Sequence, residues 1–248
     1  MRPFGNGADA PTVVHVTHYK AGSRWIHRIL KASVKERVLQ VHDEMKEFLE
    51  EPIEPGRVYS AVYVTREQFD NVDLPEDTRH FVVIRDLRDT LVSGYFSLKV
   101  SHADFEVDDV TSFRGRLQRL SFEEGLMQTL REWLPVNAQI QRSWLEAGEP
   151  VIRFEDLLER AQEILEPTLL DTCELGVPPG RLRRAIENQS FERLSGGRSR
   201  GDEQADHHYR KGIAGDWRNH FTEPLKEEFK GRYGDLLIET GYEKDLDW

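Results

Sequence analysis

Apolar positions along the chain alternate between short β-branched runs and longer stretches with helical spacing. Thr12-Val13-Val14-His15-Val16, behind Pro11, predicts a buried strand. A turn follows from Thr17 to Ser23, and Arg24 to Lys35 then carries Trp25, Ile26, Ile29, Leu30 and Val34 one helical turn apart. Val58 to Thr65 predicts a second strand. Phe81 to Ile84 predicts a third, followed by a helix from Asp89 to about Val100. Ser121 and Glu124 have capping-box spacing, and the helix behind them places Phe122, Leu126, Leu130 and Leu134 on one face. Pro150 to Phe154 reads as a fourth strand, and Leu157 to Leu170 as a helix interrupted near Pro167. Thr222 is placed to cap a last helix, with Pro224 in its first turn and Leu225, Phe229, Leu236 and Leu237 facing inward. This alternation predicts an α/β fold, a central and mostly parallel sheet flanked by helices. One domain is expected over residues 1–248, with 1–11 a flexible N-terminus and 195–208, which begins Ser-Gly-Gly-Arg-Ser-Arg-Gly, a mobile loop.

Composition narrows the classes. Of 248 residues, 38% are hydrophobic, enough for a core, and 32% are charged. Lys plus Arg number 34 against 45 Asp plus Glu, a formal charge of −11, which argues against nucleic acid as a partner but leaves room for a local basic pocket. The single cysteine, Cys173, excludes an intrachain disulfide and a Cys-rich zinc site. No apolar run approaches the roughly 18 residues of a membrane helix, and Met1 to Pro11 lacks the apolar core of a signal peptide. A soluble cytoplasmic protein with no membrane partner is expected.

Three segments carry chemistry. The turn after the first strand feeds a helix, whose free N–H groups and positive dipole end suit a phosphate or sulfate. Gly22 permits close approach, Lys20 brings charge and Ser23 a hydroxyl. Because Lys20 precedes Gly22, the segment departs from the triphosphate loop G-x-x-x-x-G-K-[ST]. At the end of the third strand, Arg85 is set to fork onto a phosphate, and Ser93, a little over two helical turns on, faces the same way. Alone, Arg85, Asp86, Arg88 and Asp89 would read as a surface ion-pair cluster, or Asp86 as a magnesium ligand. In Tyr209 to Thr222, Arg210 and Lys211 precede Gly212, a pocket for a dianion or a solvated basic turn; Trp217 and Phe221 read as packing residues.

Taken together and in this order, the segments resemble the sulfotransferases that use 3′-phosphoadenosine 5′-phosphosulfate (PAPS). That family carries Y-P-K-S-G-T-T-W, where this chain has His18-Tyr19-Lys20-Ala21-Gly22-Ser23-Arg24-Trp25. It carries R-D-P-R-D-x-x-x-S, matched by Arg85 to Asp89 with Ser93, and R-K-G-x-x-G-D-W-x-x-x-F-T, kept at every fixed position from Arg210 to Thr222. The resemblance implies a three-layer P-loop-NTPase-like fold and in-line sulfuryl transfer to a hydroxyl or amine of a small molecule. By it, Lys20 contacts the transferred group, the backbone from Ala21 through Gly22 and Ser23 to Arg24 cradles the 5′-phosphate, and Trp25 stacks on adenine. Arg85 and Ser93 bind the 3′-phosphate with Arg210, Lys211 and Gly212. Phe154 and Phe191 match the family's aromatics near the adenine. No metal is implied; the neighbours His207 and His208 point apart.

The chain departs from the family at Tyr19, Ala21 and Arg24. It also lacks the K-x-H-x-P histidine: the corresponding strand, Ser60 to Thr65, has none. His42 is then the first candidate for the base, with Asp43, Glu44 and His102 as alternatives. A P-loop kinase or ATPase, and a nucleotide-binding module without catalysis, are the rival readings. Phenols, alcohols, glycans and natural-product scaffolds all stay open as acceptors. Trp133 and Trp144 are candidates for an acceptor cleft or for the core, and the oligomeric state is open.

Overall fold

The β-branched runs form strands and the helical periods form helices. The computed structural model describes residues 10–42, 44–101 and 108–248, so Asp43, His102 and most of the 1–11 segment lie outside the described residues. In chain order the elements are β1 (Thr12–Thr17), α1 (Ser23–Val34), β2 (Val38–Gln40), α2 (Lys46–Leu49), β3 (Val58–Val62), α3 (Arg66–Asp70), β4 (Thr78–Ile84), α4 (Leu87–Phe96), α5 (Asp108–Arg119), α6 (Phe122–Glu132), α7 (Leu134–Glu146), β5 (Val151–Arg153), α8 (Phe154–Pro167), α9 (Pro179–Asn188), α10 (Phe191–Leu194) and α11 (Glu223–Glu239). They fall into two compact units. One takes the chain up to Ile84 together with Ile140–Ser190, the other Arg85–Gln139 and Phe191–Trp248.

The first unit holds the sheet, in the order β2-β3-β1-β4-β5. Every neighbouring pair is parallel, a stricter result than the mostly parallel expectation. Parallel strands covered on both faces read as continuous apolar runs, and β1 and β3 are buried throughout. Side-chain alternation still sorts the faces. Val13, Val58, Phe81 and Val83 pack with Ile26, Ile29 and Leu30 of α1, Leu157 and Leu165 of α8, and Leu182, Ala185 and Ile186 of α9. Each large aliphatic side chain so buried contributes about 1.5–3 kcal/mol. On the opposite face, Tyr59 meets Phe48 of α2, and Phe69 of α3 packs on His80 and Trp144. Trp144 is fully buried and its indole N–H donates to the Val64 carbonyl at 2.9 Å, so it is core rather than cleft wall.

Several boundaries differ from the periodic reading. The strand expected over Val58 to Thr65 ends at Val62, because Thr65 is the N-cap of α3 and shares a capping box with Gln68. β5 is Val151–Arg153, and Phe154 already belongs to α8. α8 departs from helical geometry at Arg160 (φ −130°, ψ 40°) rather than at Pro167, which closes the helix and leads into a π-helical turn, Thr168–Thr172. Cys173 is buried, and burial pushes its thiol up to about 12, so it is chemically inert.

In the second unit, α4 begins at Leu87, earlier than expected, and its end passes into a π-helical stretch, Ser97–Ser101. The Ser121–Glu124 capping box forms as read, and Leu126 and Leu130 are buried, while Phe122 is 39% exposed. Thr222 occupies the N-cap of α11, but its side chain does not cap; the hydroxyl donates to Glu123 at 2.5 Å. Trp133 packs against Gly94, where an added Cβ would stand 2.3 Å from its ring.

Candidate active site

β1 is buried over its whole length, and the chain leaves it through His18 and Tyr19 into a tight turn. Lys20 has φ 68°, a left-handed conformation costly for a residue with a Cβ, and Gly22 follows at φ 83°. Gly22 is the N-cap of α1. No side chain caps this helix, and its first turn carries no acidic residue. Such a helix end offers N–H groups and a positive potential to an anion. Ala21 is buried, Ser23 half-buried and Arg24 exposed, so the Arg24 side chain faces solvent. The Phe154 ring closes against Gly22: a Cβ there would lie 2.4 Å from Cε2. Trp25 meets the same ring edge-on, with centroids 6.1 Å apart. The buried Trp25 indole N–H finds no acceptor among the described residues, so the loop holds an unsatisfied donor as well as an uncapped helix end. The residues present therefore fit an anionic nucleotide.

Tyr63, one residue beyond β3, reaches the same loop. Its hydroxyl donates to Ser23 Oγ at 2.9 Å, and its ring stacks on Tyr19 at 4.2 Å. His42 lies two residues past β2, at the carboxyl edge of the sheet. It is largely exposed; its Nδ1 contacts Glu47 Oε1 and its backbone N–H donates to Glu47 Oε2 at 3.1 Å. Glu44 pairs with Lys46 at 2.5 Å on the surface.

The second unit gathers the arginine segment and the Arg210 segment. From Phe81 through Leu98, the positions left half-exposed are Arg85, Ser93 and Phe96, and every other one is buried. Ser93 and Phe96 share a helical face, and the Arg210 guanidinium stacks over the Phe96 ring at 4.6 Å. Asp89 joins the two segments: its carboxylate accepts the N–H of Gly215 at 2.7 Å and of Trp217 at 2.9 Å. Burial raises its pKa against the pull of Arg85 and those two donors.

The surface-cluster reading of this segment is overturned. Asp86 N-caps α4 and pairs with Arg88 at 2.7 Å; Arg88 also reaches Glu243 at 2.5 Å and lies over the rings of Trp217 and Trp248, 4.0 and 4.5 Å from their centroids. Both Asp86 and Arg88 are buried, so Asp86 serves the helix rather than a magnesium ion. Trp217 and Phe221 are packing residues, as read.

Arg210 and Lys211 are held by carboxylates. Both pair with Asp216, Lys211 at 2.6 Å, and both contact Glu203. Burial disfavours the Asp216 carboxylate, but hydrogen bonds from His220, Lys211, Arg210 and Asn219 outweigh it and hold its pKa far below the usual range. Gly212, at φ 69°, lies against Phe191, whose ring an added Cβ would meet at 2.4 Å. Thus each aromatic taken from the family pattern covers a left-handed glycine: Phe154 on Gly22, Phe191 on Gly212.

The 195–208 stretch folds around Arg198. Its guanidinium donates to the carbonyls of Asp202 and Arg210, each at 2.8 Å, and of Tyr209 at 2.5 Å, and sits 5.6 Å from the Phe191 ring centroid. Its Nη2 also contacts His207 Nδ1, which accepts the Tyr209 N–H. Gly201 and Gln204 N–H donate to the Lys211 and Arg210 carbonyls, which brings Glu203 to the two cations. Sequence reasoning did not find Tyr63, Phe96, Arg198 or Glu203, nor that Asp89 holds the Gly215 turn. A periodic strand end or a Gly-rich run carries no signal of such contacts.

The sulfotransferase domain model matches residues 10–241. Among solved structures, mouse sulfotransferase SULT7A1 complexed with PAP aligns at TM-score 0.64 with 15% identity, over 92% of this chain and 84% of that one. Retinol dehydratase in a complex with retinol and PAP aligns at TM-score 0.55 with 14% identity, over 92% and 82% of the two chains. Its complex with androsterone and PAP gives 0.54 and 14%, over 94% and 83%. No curated protein sequence gives a significant match. These likenesses carry the fold, a parallel sheet flanked by helices. The match over residues 10–241 shows that the chain belongs to the sulfotransferase domain family.

Proposed function

We propose that the protein transfers a sulfuryl group from PAPS to a hydroxyl or amine of a small-molecule acceptor. The observation that carries this reading is the uncapped, acid-free N-terminus of α1, entered directly from β1 through Lys20 and Gly22. The PAP-bound structures of the similar proteins support it. PAPS supplies an activated sulfuryl group and leaves as adenosine 3′,5′-bisphosphate. Lys20 and the N–H groups from Ala21 to Arg24 place positive charge where negative charge develops, and removing one such donor typically costs on the order of 10²–10³ in rate. Trp25 and Phe154 form the adenine wall, and Phe191 covers Gly212. Arg85, Ser93, Arg210, Lys211 and Gly212 hold the 3′-phosphate.

His42 is the base in this reading. Glu47 orients its ring through Nδ1, which assigns proton acceptance to Nε2, the arrangement that makes a histidine an effective base. Retinol and androsterone in similar structures favour an apolar alcohol as acceptor. The reading includes a cytoplasmic site of action, supported by the lone buried thiol of Cys173; no helix among the described residues is long and apolar enough to cross a membrane.

The test is calorimetric titration without Mg²⁺ using adenosine 3′,5′-bisphosphate and separately ATP, on wild type and Lys211→Ala. Tight bisphosphate binding, lost in the variant and absent for ATP, is expected. ATP binding only with Mg²⁺, and none of the bisphosphate, would replace this reading with a kinase or ATPase.

A further inference from the structure

Tyr63 brings an aromatic hydroxyl to the loop after β1, and it ties together three chain segments at the carboxyl ends of adjacent strands. Its O–H donates to Ser23 Oγ at 2.9 Å, its ring stacks on Tyr19 at an interplanar angle of 28°, and its backbone N–H points at Met45 Sδ at 3.2 Å. Met45 in turn donates its N–H to the His42 carbonyl at 2.9 Å. We infer that Tyr63 is a positioning residue for anion binding, setting the hydroxyl of Ser23 toward the incoming phosphate. This rests on the donor reading above.

The reason is hydrogen-bond valence. A serine hydroxyl has one proton to give and two lone pairs to fill. With the phenol donating into Oγ, the Ser23 proton must go to another acceptor. Ser23 is the first residue of α1, whose first-turn N–H groups have no partners within the helix. An anion at the helix end would supply such an acceptor. The chain Tyr63 O–H to Ser23 O–H to anion is also cooperative, since each bond polarises the next. The Tyr19 stack fixes the phenol, so the hydroxyl is oriented before the ligand arrives. Tyr63 thus lies just past β3, in the segment where the family pattern has its histidine, and acts here through Ser23 rather than on the reacting atoms.

The experiment is a double-mutant cycle on adenosine 3′,5′-bisphosphate affinity by calorimetry, with wild type, Tyr63→Phe, Ser23→Ala and the double variant, each melted in parallel. Tyr63→Phe keeps the ring and the Tyr19 stack. It should melt like wild type and bind about threefold to tenfold more weakly, the usual weight of one neutral hydrogen bond. In the Ser23→Ala background the same change should cost less than about twofold, because the partner is already gone. In turnover, the loss should fall on the KM for the donor and leave the KM for the acceptor unchanged. Equal weakening in both backgrounds, or wild-type affinity in either single variant, overturns the assignment. Inorganic phosphate is the second probe. If wild type binds phosphate but not the bisphosphate, the donor reading fails, and the same cycle on phosphate decides Tyr63. If it binds neither, both fall.

Discussion

Replacing Gly22 by alanine tests the loop at its tightest point. Gly22 has φ 83°, and a Cβ would lie 2.4 Å from Phe154 Cε2 and 2.6 Å from Cδ2, about 1 Å inside ordinary contact. Two costs add. Holding alanine in the left-handed region costs about 1–2 kcal/mol. Forcing the ring aside from its edge-on contact with Trp25 adds about 1–3 kcal/mol of overpacking. The lower entropy of the unfolded alanine chain offsets about 0.4–1 kcal/mol. The net loss is then about 1.5–4 kcal/mol, which for a chain of this size lowers Tm by roughly 3–16 °C. Urea and thermal unfolding without ligand measure it free of any binding effect. Phe154→Ala separates the parts: in the Gly22→Ala background it should remove the ring term and leave only the backbone term, a coupling of at least about 1 kcal/mol. A Gly22→Ala protein that melts within a degree of wild type, or a cycle with no coupling, would refute the claim that the ring closes on the glycine.

Three further outcomes follow from the same contacts. Arg198→Ala should release the carbonyls of Asp202, Tyr209 and Arg210 and weaken bisphosphate binding at least tenfold, with Arg198→Lys recovering little because one ammonium cannot span those acceptors; intact affinity in Arg198→Ala would show that the Arg210 segment holds itself. Glu203→Gln removes a carboxylate that competes for Arg210 and Lys211, so the bisphosphate should bind about twofold to fivefold more tightly, checked by calorimetry; weaker binding would mean Glu203 orders the cations instead. His15 is fully buried, stacked on Phe81 and bonded to Ser60, and burial, helped by His27, pushes its pKa down to about 3. The unfolded chain therefore takes up a proton between about pH 6.5 and 3 that the folded chain refuses, so this part of the stability is present above pH 6.5 and falls by about 1.4 kcal/mol per unit below it. His15→Asn should flatten the slope of urea stability between pH 6.5 and 5 by that amount, and parallel slopes would rule His15 out as its source.

Much of the site was legible because its chemistry is local. Lys20, Gly22 and Trp25 follow one strand within a single turn, and Arg210 to Thr222 keep a fixed spacing, so the backbone geometry is encoded by neighbours. The Ser121 capping box was legible for the same reason. Arg88 taken alone reads as a surface charge because its partners, Glu243, Trp217 and Trp248, are distant in sequence and nothing local signals its burial. The break in α8 was assigned to Pro167 because proline is the visible helix breaker, while the actual departure at Arg160 has no residue-type signature.

The sequence by itself determined β1, β3, β4 and β5, the turn at Lys20 and Gly22 and the three family segments, but not β2, because periodicity, glycine and proline act over a few residues. Tertiary structure alone decided that β3 lies between β2 and β1, that Tyr63 meets Ser23, that Asp89 carries the Gly215 turn, and that Glu203 and Asp216 hold Arg210 and Lys211. Those are pairings across long stretches of chain. Their energies come from burial and hydrogen-bond geometry, which a residue acquires only when the fold brings its partner to it.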